Sequence, residues 1–141
     1  DARKKAMSAK VAKALDGDLT GKTVGVLGLT FKPNTDDMRD APALDILPAL
    51  QALGAKVQAY DPEGEEAKHM LKGVDFKSDA YEAATGSDVL VIITEWDQFR
   101  ALDLDRIKGL MKTPTLVDLR NIYKPEDIRS RGFKYASIGR A

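Results

Sequence analysis

The sequence contains no cysteine, which removes disulfides, thiolate-held zinc and a thiol nucleophile from consideration. It has no excess of either charge: 22 Lys and Arg stand against 22 Asp and Glu, so nothing in the balance draws the chain toward nucleic acid or an anionic membrane. Any anion it binds must be held by local geometry. A long apolar run is also missing. The longest, residues 89–93 with their flanks, is far too short to span a bilayer, and the basic residues near the start are not followed by a leader core. No nucleic-acid partner, no membrane and no metal site are therefore expected, and the cytoplasm is the expected location.

What is present is ordinary globular material. With 43% hydrophobic and 31% charged residues, 141 residues suit one domain that buries a proper core without staples. The opening segment is Ala-rich, with Met7, Val11 and Ala14 or Leu15 at helical spacing. It carries Arg3, Lys4 and Lys5 in what would be the first turn, where the positive end of the helix dipole disfavours cations. A helix with the wrong charge at its start and Asp rather than Met as residue 1 reads as one cut in the middle. The expectation is that residues 1–19 close an inter-domain or dimerisation helix and that 20–141 form a separate binding domain. The alternative is an exposed helix with a solvated basic face.

Beyond Gly17 the pattern alternates. Residues 22–27 read as a buried strand ending at Gly28, and a helix over 41–53 follows, with Asp40 as its cap and Pro42 in its first turn. That helix shows Leu44, Leu47, Leu50 and Leu53 as its stripe, Gly54 as its stop, and Pro48 inside, which predicts a kink. Strands are expected at 56–60, 75–77, 89–94, 115–119 and 133–137, with helical segments at 63–71, 80–85, 99–110 and 125–131. The β-branched run at 89–94 is the pattern of a strand covered on both faces. The fold predicted is α/β: a Rossmann-like, doubly wound, mostly parallel sheet of about six strands with helices on both faces, preceded by an N-terminal helix.

In such sheets ligands sit at the carboxyl ends of the strands, which directs attention to the loops over 29–39, 95–99 and 120–123. The first turn holds Gly25 and Gly28 but not the full glycine fingerprint of dinucleotide binding. Close packing and approach to a pyrophosphate are both open readings of that pair. Asp61 stands where a dinucleotide fold places a ribose-binding acid, although a turn role before Pro62 is the better account of it. Trp96 reads as a cover for the strand ends rather than a stacking platform, and His69 as a surface residue.

The long first loop is the specific feature. Gly28-Leu29-Thr30-Phe31-Lys32-Pro33-Asn34-Thr35-Asp36-Asp37-Met38-Arg39-Asp40-Ala41-Pro42, followed by Tyr60-Asp61-Pro62, Thr94-Glu95-Trp96 and Asp118-Leu119-Arg120-Asn121, resembles the C-terminal domain of the UDP-glucose and GDP-mannose dehydrogenases. The resemblance runs from about residue 21 to the end. It implies a domain that closes over the UDP part of UDP-glucose, while a separate N-terminal domain holds NAD and the active site lies between them.

A diphosphate and a uridine require N–H donors, a cation and a flat wall, and the loop has them. The substrate-binding residues implied are Phe31, Lys32, Asn34, Thr35, Asp36 and Arg120; Arg39 matches the position that reaches the dinucleotide cofactor. Arg39 could equally pair with Asp36, Asp37 or Asp40. A charge-assisted hydrogen bond from Lys32 is worth roughly 1.5–3 kcal/mol. Family members convert UDP-glucose to UDP-glucuronate with two NAD through a cysteine adduct, and this chain has no cysteine. No catalytic residue is therefore assigned. The expectation is a binding domain, inactive alone, that works with an NAD-binding domain and in a homodimer. The alternatives are a GDP-mannose or UDP-N-acetylmannosamine dehydrogenase domain, and a non-enzymatic nucleotide-binding or oligomerisation module.

Overall fold

Strands and helices alternate as the hydrophobic pattern requires. The computed structural model describes residues 9–14, 18–30, 34, 37–38 and 41–137. Residues 9–14 are helical (α1). There follow β1 (Thr23–Leu27), α2 (Ala43–Ala52), β2 (Lys56–Tyr60), α3 (Glu65–Met70), β3 (Val74–Phe76), α4 (Ala80–Ala84), β4 (Val89–Ile92), α5 (Asp97–Arg100), α6 (Leu104–Leu110), β5 (Thr115–Asp118), α7 (Pro125–Ser130) and β6 (Lys134–Ser137). The six strands form one sheet in the order β3-β2-β1-β4-β5-β6. Every pairing is parallel, so the sheet is wholly rather than mostly parallel. This is the doubly wound order, and its direction of winding reverses between β1 and β4.

Both faces of the sheet are covered, and successive strand residues alternate between them. Val89 and Val91 of β4 join Val24, Val26, Val57 and Ala59 in a cluster beneath α1, α2 and α3. Leu90 and Ile92 join Leu27 and Leu116 in a second cluster beneath α4 to α7. All four residues of β4 are buried, which accounts for its unbroken apolar run. In α1, Val11 and Ala14 are buried in the first cluster, and the Lys134 ammonium donates to the Ala14 carbonyl at 2.8 Å.

The stripe expected for α2 needs correction. Its buried residues are Ala43, Ile46, Leu47 and Leu50, while Leu44 is only half-buried and Leu53 is 45% exposed. A three-residue spacing at about 100° per residue slips back roughly 60° each step, so the ends of a four-leucine series face opposite ways. The i, i+3, i+4, i+7 set is the one that stays on a face. Pro48 lies within the helix at an exposed position, and the helix runs on through it to Ala52. The Asp40 cap lies outside the described residues, and Pro42 occupies the cap position. The helical segment expected at 99–110 is two helices, the second capped by the Asp103 carboxylate on Arg106 N at 3.1 Å.

Gly25 explains how α4 can lie so near the sheet. A Cβ at that position would stand 2.4 Å from the Ala83 carbonyl oxygen, so only glycine allows this approach. The same carbonyl accepts from Gln58 Nε2 at 2.9 Å, which ties α4 to β2. Gly25→Ala is expected to destabilise the domain by about 1–3 kcal/mol, read as a fall in the denaturant midpoint. Gly109→Ala, in α6 with no atom near its missing Cβ, is expected to leave stability unchanged or raise it by about 0.5–1 kcal/mol.

Candidate functional site

The reversal between β1 and β4 opens a crevice at the carboxyl ends of the strands, and four loops converge there, following β1, β2, β4 and β5. The first is pressed onto the third. Gly28 has φ +94°, and a Cβ on it would lie 2.5 Å from the Thr94 Cβ, so neither its conformation nor its surroundings admit a side chain. Its N–H donates to the Tyr60 carbonyl at 2.8 Å, and Thr94 Oγ1 donates to the Thr30 carbonyl at 2.8 Å. Gly25 and Gly28 therefore both serve close packing.

Asp61, at the end of β2, organises this junction. The residue is 8% exposed. One oxygen, Oδ2, accepts from Leu29 N at 2.6 Å, Thr30 N at 3.1 Å, Thr30 Oγ1 at 3.3 Å and Trp96 Nε1 at 3.3 Å. The other, Oδ1, accepts from Glu63 N at 2.7 Å, closing the turn through Pro62. The turn role expected of Asp61 is thus present, and with it a larger one: a single carboxylate joins the loops after β1, β2 and β4. Charge-assisted bonds of this kind offset the cost of burying the carboxylate. Trp96 is buried in the second cluster, with its indole N–H turned to Asp61.

A second buried carboxylate, Asp118 at the end of β5, shapes the fourth loop. It accepts from Arg120 N at 3.1 Å, Tyr123 N at 3.1 Å and the Tyr135 hydroxyl at 2.9 Å. Asn121 takes the left-handed conformation, φ 56°, that this tight turn demands. The Tyr123 hydroxyl donates to the Phe99 carbonyl. Burial first, then the Asp118 and Tyr135 charges, push the Tyr123 phenol well above its ordinary range, so it stays a donor. Among the described residues no buried side-chain nitrogen or oxygen lacks a partner.

Of the expected binding residues, Asn34 and Arg120 are described, while Phe31, Lys32, Thr35, Asp36 and Arg39 lie outside the described residues. Asn34 is exposed, with φ 62°. The flanks of the expected binding loop are anchored: Leu29, Thr30 and Ala41 are fully buried and Met38 is 3% exposed. Arg120 meets Glu95 fork to fork, Nε to Oε2 and Nη2 to Oε1, both at 2.9 Å. Sequence reasoning missed this pairing and the reach of Asp61; the one available signal was an acid at the end of a strand before a turn residue.

Beside Asp61 a hollow of about 240 Å³ opens between Leu29, Pro62, Glu63, Phe76 and Lys77. His69 is exposed on α3, as expected. Among the described residues no three potential metal ligands gather, and no helix is long and apolar enough to cross a membrane. The crevice offers hydrogen-bond donors, carboxylates and a guanidinium, which suits binding.

Comparison with known proteins points the same way. Residues 25–125 match the UDP-glucose/GDP-mannose dehydrogenase family, UDP binding domain. The chain is 60% identical over 141 residues to the UDP-glucose 6-dehydrogenase of Rhizobium meliloti (strain 1021), covering 99% of this chain and 32% of that protein. It is 45% identical over 126 residues to UDP-glucose 6-dehydrogenase TuaD of Bacillus subtilis (strain 168), covering 88% of this chain and 27% of that one. Among solved structures, a UDP-glucose dehydrogenase from the archaeon Pyrobaculum islandicum superposes with a TM-score of 0.75 at 28% identity, over 96% of this chain and 29% of that one. The chain thus spans about a third of the length of the curated relatives it matches.

Asp61→Ala strips the acceptor from Leu29 N, Thr30 N and Trp96 Nε1 at once. The expected loss of stability is about 3 kcal/mol or more, measured by chemical denaturation. Trp96 fluorescence in the native baseline should shift to the red as the indole meets water; an unchanged spectrum would show that Asp61 does not hold it.

Proposed function

The chain belongs to the UDP-glucose/GDP-mannose dehydrogenase family, and from that premise we propose that it is the UDP-sugar-binding part of a UDP-glucose 6-dehydrogenase. The observation that carries this reading is that the residues matching the family, 25–125, include all four loops around the crevice. A nucleoside diphosphate placed there meets Leu29 and Thr30, where the expected loop begins, and the turn bearing Arg120.

In this reading Phe31 walls the base, Lys32 and Arg120 take the phosphate or ribose oxygens, and Asn34, Thr35 and Asp36 complete the loop's contacts. The reaction served is oxidation of UDP-glucose to UDP-glucuronate with two NAD. The dinucleotide and the reactive cysteine belong to a separate domain, since this chain contains no cysteine, and Arg39 reaches across to the dinucleotide. Residues 1–19 form the end of a helix joining the two domains, 20–141 are the binding domain, and the whole enzyme is a cytoplasmic homodimer. A thiol nucleophile and the hydride acceptor come from elsewhere, so the chain's own contribution is to bind and orient the nucleotide sugar.

Thermal-shift titration tests the reading. A ligand bound only by the folded state at 100 times its dissociation constant stabilises by about 2.7 kcal/mol. UDP and UDP-glucose are expected to raise the melting temperature, GDP and NAD to do so far less, and the purified chain to produce no NADH. Lys32→Ala should weaken UDP about tenfold or more. A larger response to GDP than to UDP would assign the domain to a mannose-type enzyme, and a response to none of them would remove the nucleotide reading.

A further inference from the structure

Arg120 and Glu95 stand just past β5 and β4, beside the crevice, with side chains 33% and 28% exposed. Their contact uses the Nε edge of the guanidinium and both carboxylate oxygens. A guanidinium has five N–H donors and a carboxylate about four acceptor sites. Both Nη1 donors and part of the carboxylate's capacity therefore remain. The pair is close to neutral: the cation expected to grip an anion comes with a counter-charge already in place.

That counter-charge discriminates between ligands. A free nucleoside diphosphate ends in a phosphate of about −1.5 to −2 charge at neutral pH. When that phosphate is esterified to a sugar it keeps a single charge, and the sugar adds hydroxyl donors. A carboxylate repels the extra negative charge and accepts from hydroxyls through short, charge-assisted bonds. An unpaired arginine would prefer the more highly charged ligand.

We propose that Glu95 is a specificity-determining residue of the crevice: it neutralises Arg120 and presents its remaining acceptor capacity to sugar hydroxyls, favouring a nucleoside diphosphate esterified to a polyol over the free nucleoside diphosphate. The inference rests on the UDP-sugar reading and adds the reason that such a site can release or reject the sugar-free nucleotide.

Calorimetric titration of the chain with UDP and with UDP-glucose at low salt tests it, using the wild type, Glu95→Gln and Glu95→Asp. The quantity read is the ratio of the two dissociation constants. In Glu95→Gln, isosteric and only half-buried, the ratio should move toward UDP by roughly fivefold or more. In Glu95→Asp, which keeps the charge, it should stay near the wild-type value. An unchanged ratio in Glu95→Gln overturns the inference and leaves the UDP-sugar reading standing. An equal shift in Glu95→Asp overturns it too, because the effect would then follow side-chain length rather than charge. Wild-type protein that binds neither ligand removes both.

Discussion

The site depends on one buried carboxylate oxygen. Asp61 Oδ2 gathers two backbone N–H groups, a hydroxyl and an indole N–H at 2.6–3.3 Å. Asp61 is only 8% exposed, and a buried carboxylate without partners is costly. Here the partners come from loops that would otherwise end in unpaired donors, so burial and loop order are one event. A backbone N–H in a loop that leaves a buried strand has no ladder to join, and Asp61 supplies the acceptor. The first loop starts where it does because Leu29 and Thr30 are held to β2, and Trp96 lies over the strand ends because its N–H turns inward to the same atom.

The sheet prepares the ground for that contact. Parallel strands buried on both faces leave their carboxyl ends as the one edge where the chain can present side chains together, and the reversal between β1 and β4 parts the loops there. Gly25 lets α4 approach one face, and Gly28 lets the first loop lie on Thr94. Asp118 repeats the logic of Asp61 one strand over, ordering the turn that carries Arg120. Two strand-terminal acids thus convert a generic sheet into a crevice with fixed walls. Dinucleotide-binding sheets use a glycine-rich turn into a helix at the same place; here the described residues on either side of the expected binding segment, Leu29, Thr30, Met38 and Ala41, are buried.

Much of the fold was legible because its signals are local. The β-branched run of β4 predicts burial on both faces, and its residues do divide between the two clusters. The alternation of short strands and helices gives the parallel sheet. The slope of the leucines in α2 was misread because spacing by three drifts around a helix, and Ile46 rather than Leu53 completes the buried face. The site was legible as loops more than as contacts. Arg120 could be placed at the end of β5 from the pattern alone, but its pairing with Glu95 spans 25 residues of sequence and follows from the adjacency of β4 and β5. Asp61 reaches 32 and 35 residues to Leu29 and Trp96, and no spacing rule encodes that reach.

The central claim is that a nucleoside diphosphate sits at the carboxyl edge, between the loop held by Asp61 and the turn held by Asp118. Backbone amide shifts followed by NMR during titration with UDP test it most directly. The largest changes are expected on Leu29, Thr30, Glu95, Trp96, Arg120 and Asn121, with those at the opposite edge, Thr23, Lys56 and Lys134, unmoved. Changes concentrated at that opposite edge, or spread evenly over the sheet, would contradict it.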